Sequence, residues 1–494
     1  MEGTRKSLLK EITDWVTNKS RQEDVLQGNT YCLYGSPGIG KTSLAHSICA
    51  SLHDREQLAG AFFCRRDDVN LSEPRNILLT LTYKLARTFP PFRRIVAKRL
   101  QNDPHLTADS MKDSLFLDFI RSVPRHPRHP LVFVIDALDE CGSTRSRPGI
   151  LKALTDAARD ASWLKIIITS RPEVDIQGFF DSLSHLSQSR QDLAGDQEAS
   201  ADLRTFARKE FDSVASKWYL STPWPEEALL NSVISRANGL YIFIKTLVLT
   251  LEHSKDPTES LKVTIHNSDG TGTSSLYGLY SSILTARIPP RDPEFQRVID
   301  VLLTTAPYRP LRDETIAELA GVRPNLVKKW MDDLSSLLYR DEKANRGIQV
   351  RHLSISDFFF SNDCQSHYLV NVGDANLELG IACLRTMVDQ LRFNICKLED
   401  SRLANADIKD LQSRIVQNIS EALQYSSLYW SNHLGSIHDN GDRRVWENLK
   451  EFFAGLSPLF WIEVLSIMGA VPIGAPSLRG MASWVKVSTG QVCW

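Results

Sequence analysis

Cysteine is scarce, with eight in 494 residues, at Cys32, Cys49, Cys64, Cys141, Cys364, Cys383, Cys396 and Cys493. No two stand in a CxxC pair, which excludes the usual zinc and dithiol motifs and a disulfide scaffold. Several lie in apolar stretches, where a thiol packs as a small hydrophobe, so a reducing compartment is expected. An excess of either charge is also missing: 58 Lys and Arg face 59 Asp and Glu. That excludes a global basic field for nucleic acid or an anionic membrane, though not a local patch. No clean apolar run reaches the ~18 residues of a membrane span. The most apolar long stretch, Leu459 to Ala475, is interrupted by Glu463 and Pro472 and reads as a buried helix. The opening MEGTRKSLLKEITDW has no apolar core of a signal peptide, so a cytoplasmic location is expected.

What remains is ordinary globular material. Hydrophobic residues are 42% and charged residues 24%, enough apolar content for more than one core. At roughly 150 residues per domain the length suggests about three domains. Leu8, Leu9, Ile12, Trp15 and Val16 recur at helical spacing and predict a leader helix within 1–28. From 29 to 195 short apolar runs alternate with helical patterns. The runs are Tyr31–Tyr34, Ala61–Cys64, Leu131–Ile135 and Leu164–Ile168. Runs apolar throughout suit strands covered on both faces, and strands separated by helices predict a parallel sheet. Helical segments are expected near 41–52, 74–88, 91–101 and 110–122.

After Asp192 the pattern is helical. One helix is expected over 199–215 and another over 226–253, running across Gly239. The polar, glycine-rich 265–275 reads as a linker closing a small helical domain, 196–275. Thr315–Val322 and Asn325–Leu338 read as a helix-turn-helix with Gly321 in the turn. Gly347–Leu353 follows as a wing-like strand, so 276–362 reads as a winged-helix domain. The remaining 363–494 is helical. In it Leu377, Ile381, Leu384, Val388, Leu391, Ile395 and Leu398 form a seam of alternating four- and three-residue steps.

One constellation carries chemistry. Gly35-Ser36-Pro37-Gly38-Ile39-Gly40-Lys41-Thr42 fits the phosphate-loop pattern GxxxxGK[ST], with Ser43 next on the helix it opens. Glycines let the backbone turn and aim N–H groups inward, and the helix adds its positive end. Lys41 offers a charge to the β- and γ-phosphates, and the Thr42 hydroxyl suits Mg²⁺. Chance would produce the pattern in roughly 2% of chains this long, but here it also follows a strand and opens a helix. Leu131–Ile135 delivers Asp136 at a strand end, as a magnesium residue. Asp139 and Glu140 follow, and either would orient or deprotonate water. The bland alternative for that pair is a solvated turn. Lys165–Ile168 ends in Thr169-Ser170-Arg171-Pro172, where Arg171 is placed to sense a γ-phosphate or to fix a loop by a salt bridge.

GSPGIGKTSLA, LVFVIDALDEC and KIIITSRPE together resemble, in order and spacing, the NACHT family of signal-transduction NTPases. The resemblance is strongest to fungal members with a nephrocystin-3-like NTPase. AFFCRRDD, SRANGLYIFIKTLV, LYSSIL, VRHLSISDFF and YSSLYWSNHL support it, so it spans about 5 to 465. It implies a three-layer α/β P-loop NTPase domain, an all-α helical lid, a winged-helix domain and a C-terminal helical region. It also implies a STAND-type switch of the NOD-like receptor kind, used in signal transduction and innate immunity. Such a switch rests closed with ADP and opens on exchange for ATP, and its slow NTPase acts as a timer. By motif match Gly35, Gly40, Lys41 and Thr42 bind phosphates and magnesium, Asp136 is the Walker B acid and Arg171 the sensor. His352 matches a winged-helix histidine that contacts nucleotide diphosphate, or else packs in a strand.

Two departures matter. The lid's usual Gly-x-Pro is replaced by Gly239-Leu240-Tyr241, where Tyr241 either stacks on a base or packs in the core, and packing is favoured. The effector domain and repeats common in relatives are not visible. The expected partners are nucleotide, a second copy, or a NACHT or effector protein. The leading reading is therefore a nucleotide-driven switch hydrolysing ATP, with GTP as the alternative base. A scaffold that binds nucleotide without turnover is the second reading. A DNA-reading helix-turn-helix is disfavoured, because Asp332 and Asp333 cancel Lys328 and Lys329 while Leu326, Val327, Trp330, Met331 and Leu334 look like core.

Overall fold

The computed structural model describes residues 5–17, 28–103, 113–123, 127–183, 189–195, 199–267, 270–341, 347–400, 402–437 and 442–489. Within it the chain forms two compact units, Met1–Ser282 and Ile283–Trp494.

The first unit is built on five parallel strands: β1 (Thr30–Tyr34), β2 (Leu58–Phe63), β3 (Leu131–Asp136), β4 (Leu164–Ser170) and β5 (Ser189–Asp192). Their order is β2-β3-β4-β1-β5. Every residue of β3 and β4 is buried. Such strands need helices on both faces, which explains their unbroken apolar runs. Register runs from Thr30 opposite Ile166 to Tyr34 opposite Ser170, and from Leu131 opposite Leu164 to Ile135 opposite Ile168. Phe133, Ile135, Ile166 and Ile168 share one core with Leu78, Leu81, Phe92, Phe116, Leu151 and Leu154 from the covering helices. Each such side chain contributes ~1.5–3 kcal/mol by leaving water.

The edge strand β5, SRQD, is polar and was not anticipated from the sequence. It pairs with β1 along one side only, so it needs no apolar run. The leader helix α1 (Lys6–Val16) buries Leu8, Ile12, Trp15 and Val16. Helix α2 (Lys41–Asp54) follows the loop after β1. The covering helices Arg147–Asp160 and Val174–Ser182 were also not anticipated.

Further along, the expected single helix over 226–253 is two, Glu227–Ala237 and Tyr241–Glu252. Asn238 (φ 41) and Gly239 (φ 84) are both left-handed and break it. The expected linker over 265–275 is mostly helical, since one helix runs to Asn267 and the next begins at Thr273.

The second unit is largely helical, with one antiparallel pair, Leu338–Asp341 against Gly347–Val350. Helices Asp313–Ala320 and Pro324–Asp333 precede it, parted by Gly321 at φ 63. Val327, Trp330, Met331 and Leu334 are buried. The seam expected across 377–398 stops early, because the helix Val372–Gln390 ends before Leu391, which is extended. That helix packs on Glu421–Gly435 so closely that a Cβ at Gly380 would stand 2.5 Å from Leu434. The buried Glu421 carboxylate accepts from Thr315 at 2.6 Å and from Arg312 at 3.0 Å. The stretch read as one buried helix at 459–475 is instead two helices, Ser457–Ile467 and Val471–Thr489, parted at Gly469 (φ 68). Trp461 and Val464 are buried, but Leu459 and Ile462 face solvent, so the first of these helices is apolar on its exposed face as well as its buried one. Among the described residues no helix is long and apolar enough to cross a membrane. Seven cysteines are described, all as thiols, and Cys493 lies outside the described residues.

Candidate functional site

The loop Gly35–Gly40 leaves the C-terminal end of β1 and enters α2. Gly38 (φ 80) and Gly40 (φ 94) take left-handed backbone that side chains disfavour. Gly40 is also the N-cap of α2 and brings no side-chain cap. The first amides of α2 are therefore left to an anion, with the helix dipole behind them. Ile39 is buried, while Ser36, Pro37 and Gly38 are half-buried and Ser43 stands in the first turn of α2. Lys41 is buried and its Nζ donates to the carbonyls of Gly35 at 2.7 Å and Ser36 at 3.1 Å. Burial lowers its pKa to about 8 against the opposing pull of Asp139.

β3 does not lie beside β1. β4 stands between them, and its end joins the two sides of the site. Gly35 N–H donates to the Ser170 carbonyl at 3.3 Å. The Thr169 hydroxyl donates to Asp136 Oδ1 at 2.5 Å and accepts from Ala137 N–H at 2.9 Å. Thr42 hydrogen-bonds the same carboxylate, and burial nonetheless raises the Asp136 pKa. Thr42 and Asp136 are thus brought together as hard oxygen donors, the kind magnesium takes. Among the described residues no group of three His, Cys, Asp or Glu could hold a metal alone.

Ala137 (φ 53) turns the chain sharply into a short 3₁₀ turn carrying Asp139 and Glu140. The two acids then meet different fates. Asp139 is buried and gripped by Arg171, whose backbone N–H donates to Oδ1 at 2.9 Å while Nε lies 3.1 Å from Oδ2. Glu140 is reached by Arg66 N–H at 3.4 Å. Burial, then the nearby Asp139 charge, push its pKa up to about 7. Lys41, Asp136, Asp139, Glu140 and Arg171 therefore share one electrostatic neighbourhood.

His352 is in the second unit. It caps the helix Leu353–Phe359, its Nδ1 accepting from Ser354 N–H at 3.1 Å. Tyr241 is buried and packs edge-on to Phe206, with ring centroids 5.2 Å apart. Thr169 was visible in the sequence only as a polar strand end. Its grip on Asp136 follows from β4 lying between β1 and β3, which no local pattern encodes.

A phosphate loop after the first strand of a parallel sheet, with strand-end acids beside it, makes the first unit a P-loop NTPase domain. More particularly, residues 3–171, a third of the chain, match the family model described as nephrocystin 3, N-terminal, and this segment is a domain of that NACHT type. No curated protein matches the chain. Among solved structures, Cdc6p from Pyrobaculum aerophilum is 13% identical with a TM-score of 0.33, over 70% of this chain and 89% of that one. Drosophila ORC bound to DNA is 12% identical with a TM-score of 0.31, over 71% and 92%. A point mutant of Thermotoga maritima RuvB is 14% identical with a TM-score of 0.26, over 71% and 94%. Likeness at that level carries no functional argument.

Proposed function

We propose that the protein is a NACHT-type nucleotide switch that binds ATP with magnesium and hydrolyses it slowly. The observation carrying this reading is the gathering of Lys41, Asp136, Glu140 and Arg171 around one phosphate loop. The loop amides and α2 hold the phosphates. Lys41 neutralises charge on the β- and γ-phosphates. Thr42 and Asp136 would hold a magnesium ion, which would supply charge neutralisation at the phosphate oxygens. Glu140 accepts a proton from the attacking water, because its pKa lies near neutrality and it is free of the Arg171 pair. Asp139 positions Arg171 rather than water. A γ-phosphate would draw Arg171 from Asp139, and that exchange is the sensing step.

In this reading the helices over 199–267 are the lid and 276–362 is the winged-helix domain. Support for the latter is the pair of helices at 313–333 followed by an antiparallel pair. The output is domain opening with self-association. A scaffold that binds nucleotide without turnover is the second reading, favoured by the Asp139–Arg171 pair, which occupies the sensor.

Nucleotide content and phosphate release of the wild type beside Lys41→Ala test this. Bound adenine nucleotide and slow release in the wild type, both lost in Lys41→Ala, are expected. Absence of nucleotide binding in the wild type would overturn the assignment.

A further inference from the structure

The end of β4 faces two ways. Thr169 turns to Asp136 and the acids of the loop. Side chains alternate along a strand, so Ser170 turns to the opposite face of the sheet. There it lines a cavity of about 240 Å³. The cavity lies under β1 and the edge strand β5, whose Cys32 and Arg190 stand opposite each other in register. The helix Val174–Ser182 forms the other wall with Ile176 and Phe180. No residue of Gly35–Thr42 lines it, and neither do Asp136, Asp139 and Glu140. It is therefore separate from the phosphate loop. Arg171, which grips Asp139, also lines the cavity and so links the two.

Voids inside proteins are ordinarily few and apolar, and packing fills the rest. This one is lined by unmet donors. Arg190 donates from Nη1 to Asp181 at 2.6 Å and lies 5.6 Å from the centre of the Phe180 ring. Its other N–H groups have no partner among the described residues. The same holds for the Tyr34 hydroxyl and the Gln177 amide, both on the cavity wall. Two guanidiniums facing one cavity repel, and the one carboxylate on the wall, Asp181, is 70% exposed. A bound anion offsets that cost, and a planar carboxylate fits the guanidinium fork. Ile176 and Phe180 offer apolar surface beside it. The volume lies below the ~300–1,000 Å³ of drug-sized sites, so the ligand is small.

We propose that this cavity binds a small carboxylate with a short apolar body. The carboxylate sits between Arg171 and Arg190 and accepts from the Tyr34 hydroxyl, and its body rests on Ile176 and Phe180. Arg171 cannot hold this carboxylate and a γ-phosphate at once. The ligand therefore weakens ATP more than ADP, and ATP weakens the ligand by the same factor. That coupling, unlike the binding itself, rests on the sensing role given to Arg171 above.

Benzoate is the probe, titrated into the whole chain and followed by saturation-transfer NMR. A ligand of this size should bind with a Kd on the order of 1 mM. Arg190→Gln should weaken it by about 10-fold or more, the loss of a charge-assisted bond. Tyr34→Phe should weaken it by about three- to tenfold, and keeps the ring in place should Arg190→Gln fail to fold. Benzamide, uncharged and of the same shape, should bind at least about 10-fold more weakly. Arg93→Gln, which removes the same charge at an exposed position, should change benzoate binding by less than about twofold. In Glu140→Gln, benzoate should bind less tightly with ATP and magnesium than with ADP and magnesium. Absence of benzoate binding, equal binding of benzamide, or no effect of Arg190→Gln and Tyr34→Phe would each overturn the site. Benzoate binding that both variants weaken, but that ATP leaves unchanged, would overturn the link through Arg171. If the wild type binds no nucleotide, the phosphate-loop reading falls, and the cavity is still judged by the two variants.

Discussion

Burial moves a carboxyl and an ammonium toward each other at the loop. Glu140 is pushed up to about 7 and Lys41 down to about 8. In the proposed reaction the working forms are the Glu140 carboxylate, which would take a proton from water, and the Lys41 ammonium, which would meet phosphate. The carboxylate is gained as pH rises through its pKa, and the ammonium is lost as pH rises through its own. The kcat/KM for ATP should therefore be bell-shaped, with limbs at about 7 and about 8. Those limbs belong to the free protein. Bound phosphate presses Lys41 back toward its ordinary value, so the alkaline limb should fade from kcat. Glu140→Gln should lower kcat by roughly 10²- to 10⁴-fold and remove the acid limb. Phosphate release measured across pH checks this, and an acid limb that persists in Glu140→Gln would assign the base elsewhere. The Arg171 grip on Asp139 makes Asp139 the weaker candidate, a choice the sequence alone left open.

At the scale of elements, the leader helix is anchored by one aromatic. Trp15 is buried and meets Tyr31 edge-on at 5.3 Å. Lys165, itself buried in β4, donates from Nζ to the Trp15 carbonyl at 2.6 Å and sits 4.4 Å from the centre of its ring. Trp15→Ala removes a large side chain and uncovers that lysine. A loss of ~3–5 kcal/mol is expected, read as faster amide exchange in β1 and β4 under urea. The exposed Leu100→Ala should change it by less than about 0.5 kcal/mol. Equal effects would mean that α1 is not part of the unit's core.

The same elements show what was legible from sequence. β1, β3 and β4 were readable because burial on both faces demands continuous apolar runs. β5 was not, because an edge strand of SRQD satisfies its backbone by pairing with β1 alone. The helix over 226–253 looked continuous since periodicity survives Gly239, while the backbone does not. The seam at 377–398 kept its spacing past Gln390, where the helix ends. In the site, the loop, Asp136 and the two acids were readable because each is local. The Thr169 grip on Asp136 was not, since the two lie 33 residues apart on neighbouring strands.

At the scale of the molecule, the nucleotide loop belongs to Met1–Ser282 and His352 to Ile283–Trp494. A switch requires that ATP and ADP favour different arrangements of the chain. Ligand energy reaches such an equilibrium only as a difference in affinity, and moving it from 1:99 to 99:1 takes about 5.5 kcal/mol. The γ-phosphate is the only part of ATP that ADP lacks, so groups that contact it must supply that difference. In the proposed switch Arg171 would do so by leaving Asp139, to which it is paired at 3.1 Å, and Lys41 would add its share. Glu140→Gln should retain ATP without cleaving it and so hold the triphosphate state. Sedimentation velocity on that variant with ATP should show assemblies larger than the monomer. The same variant with ADP, and Lys41→Ala with either nucleotide, should remain monomeric. Arg171→Ala on the Glu140→Gln background should still bind ATP but fail to assemble. Were all these samples to sediment alike, with ATP bound where expected, nucleotide would act as a structural ligand, and the scaffold reading would replace the switch.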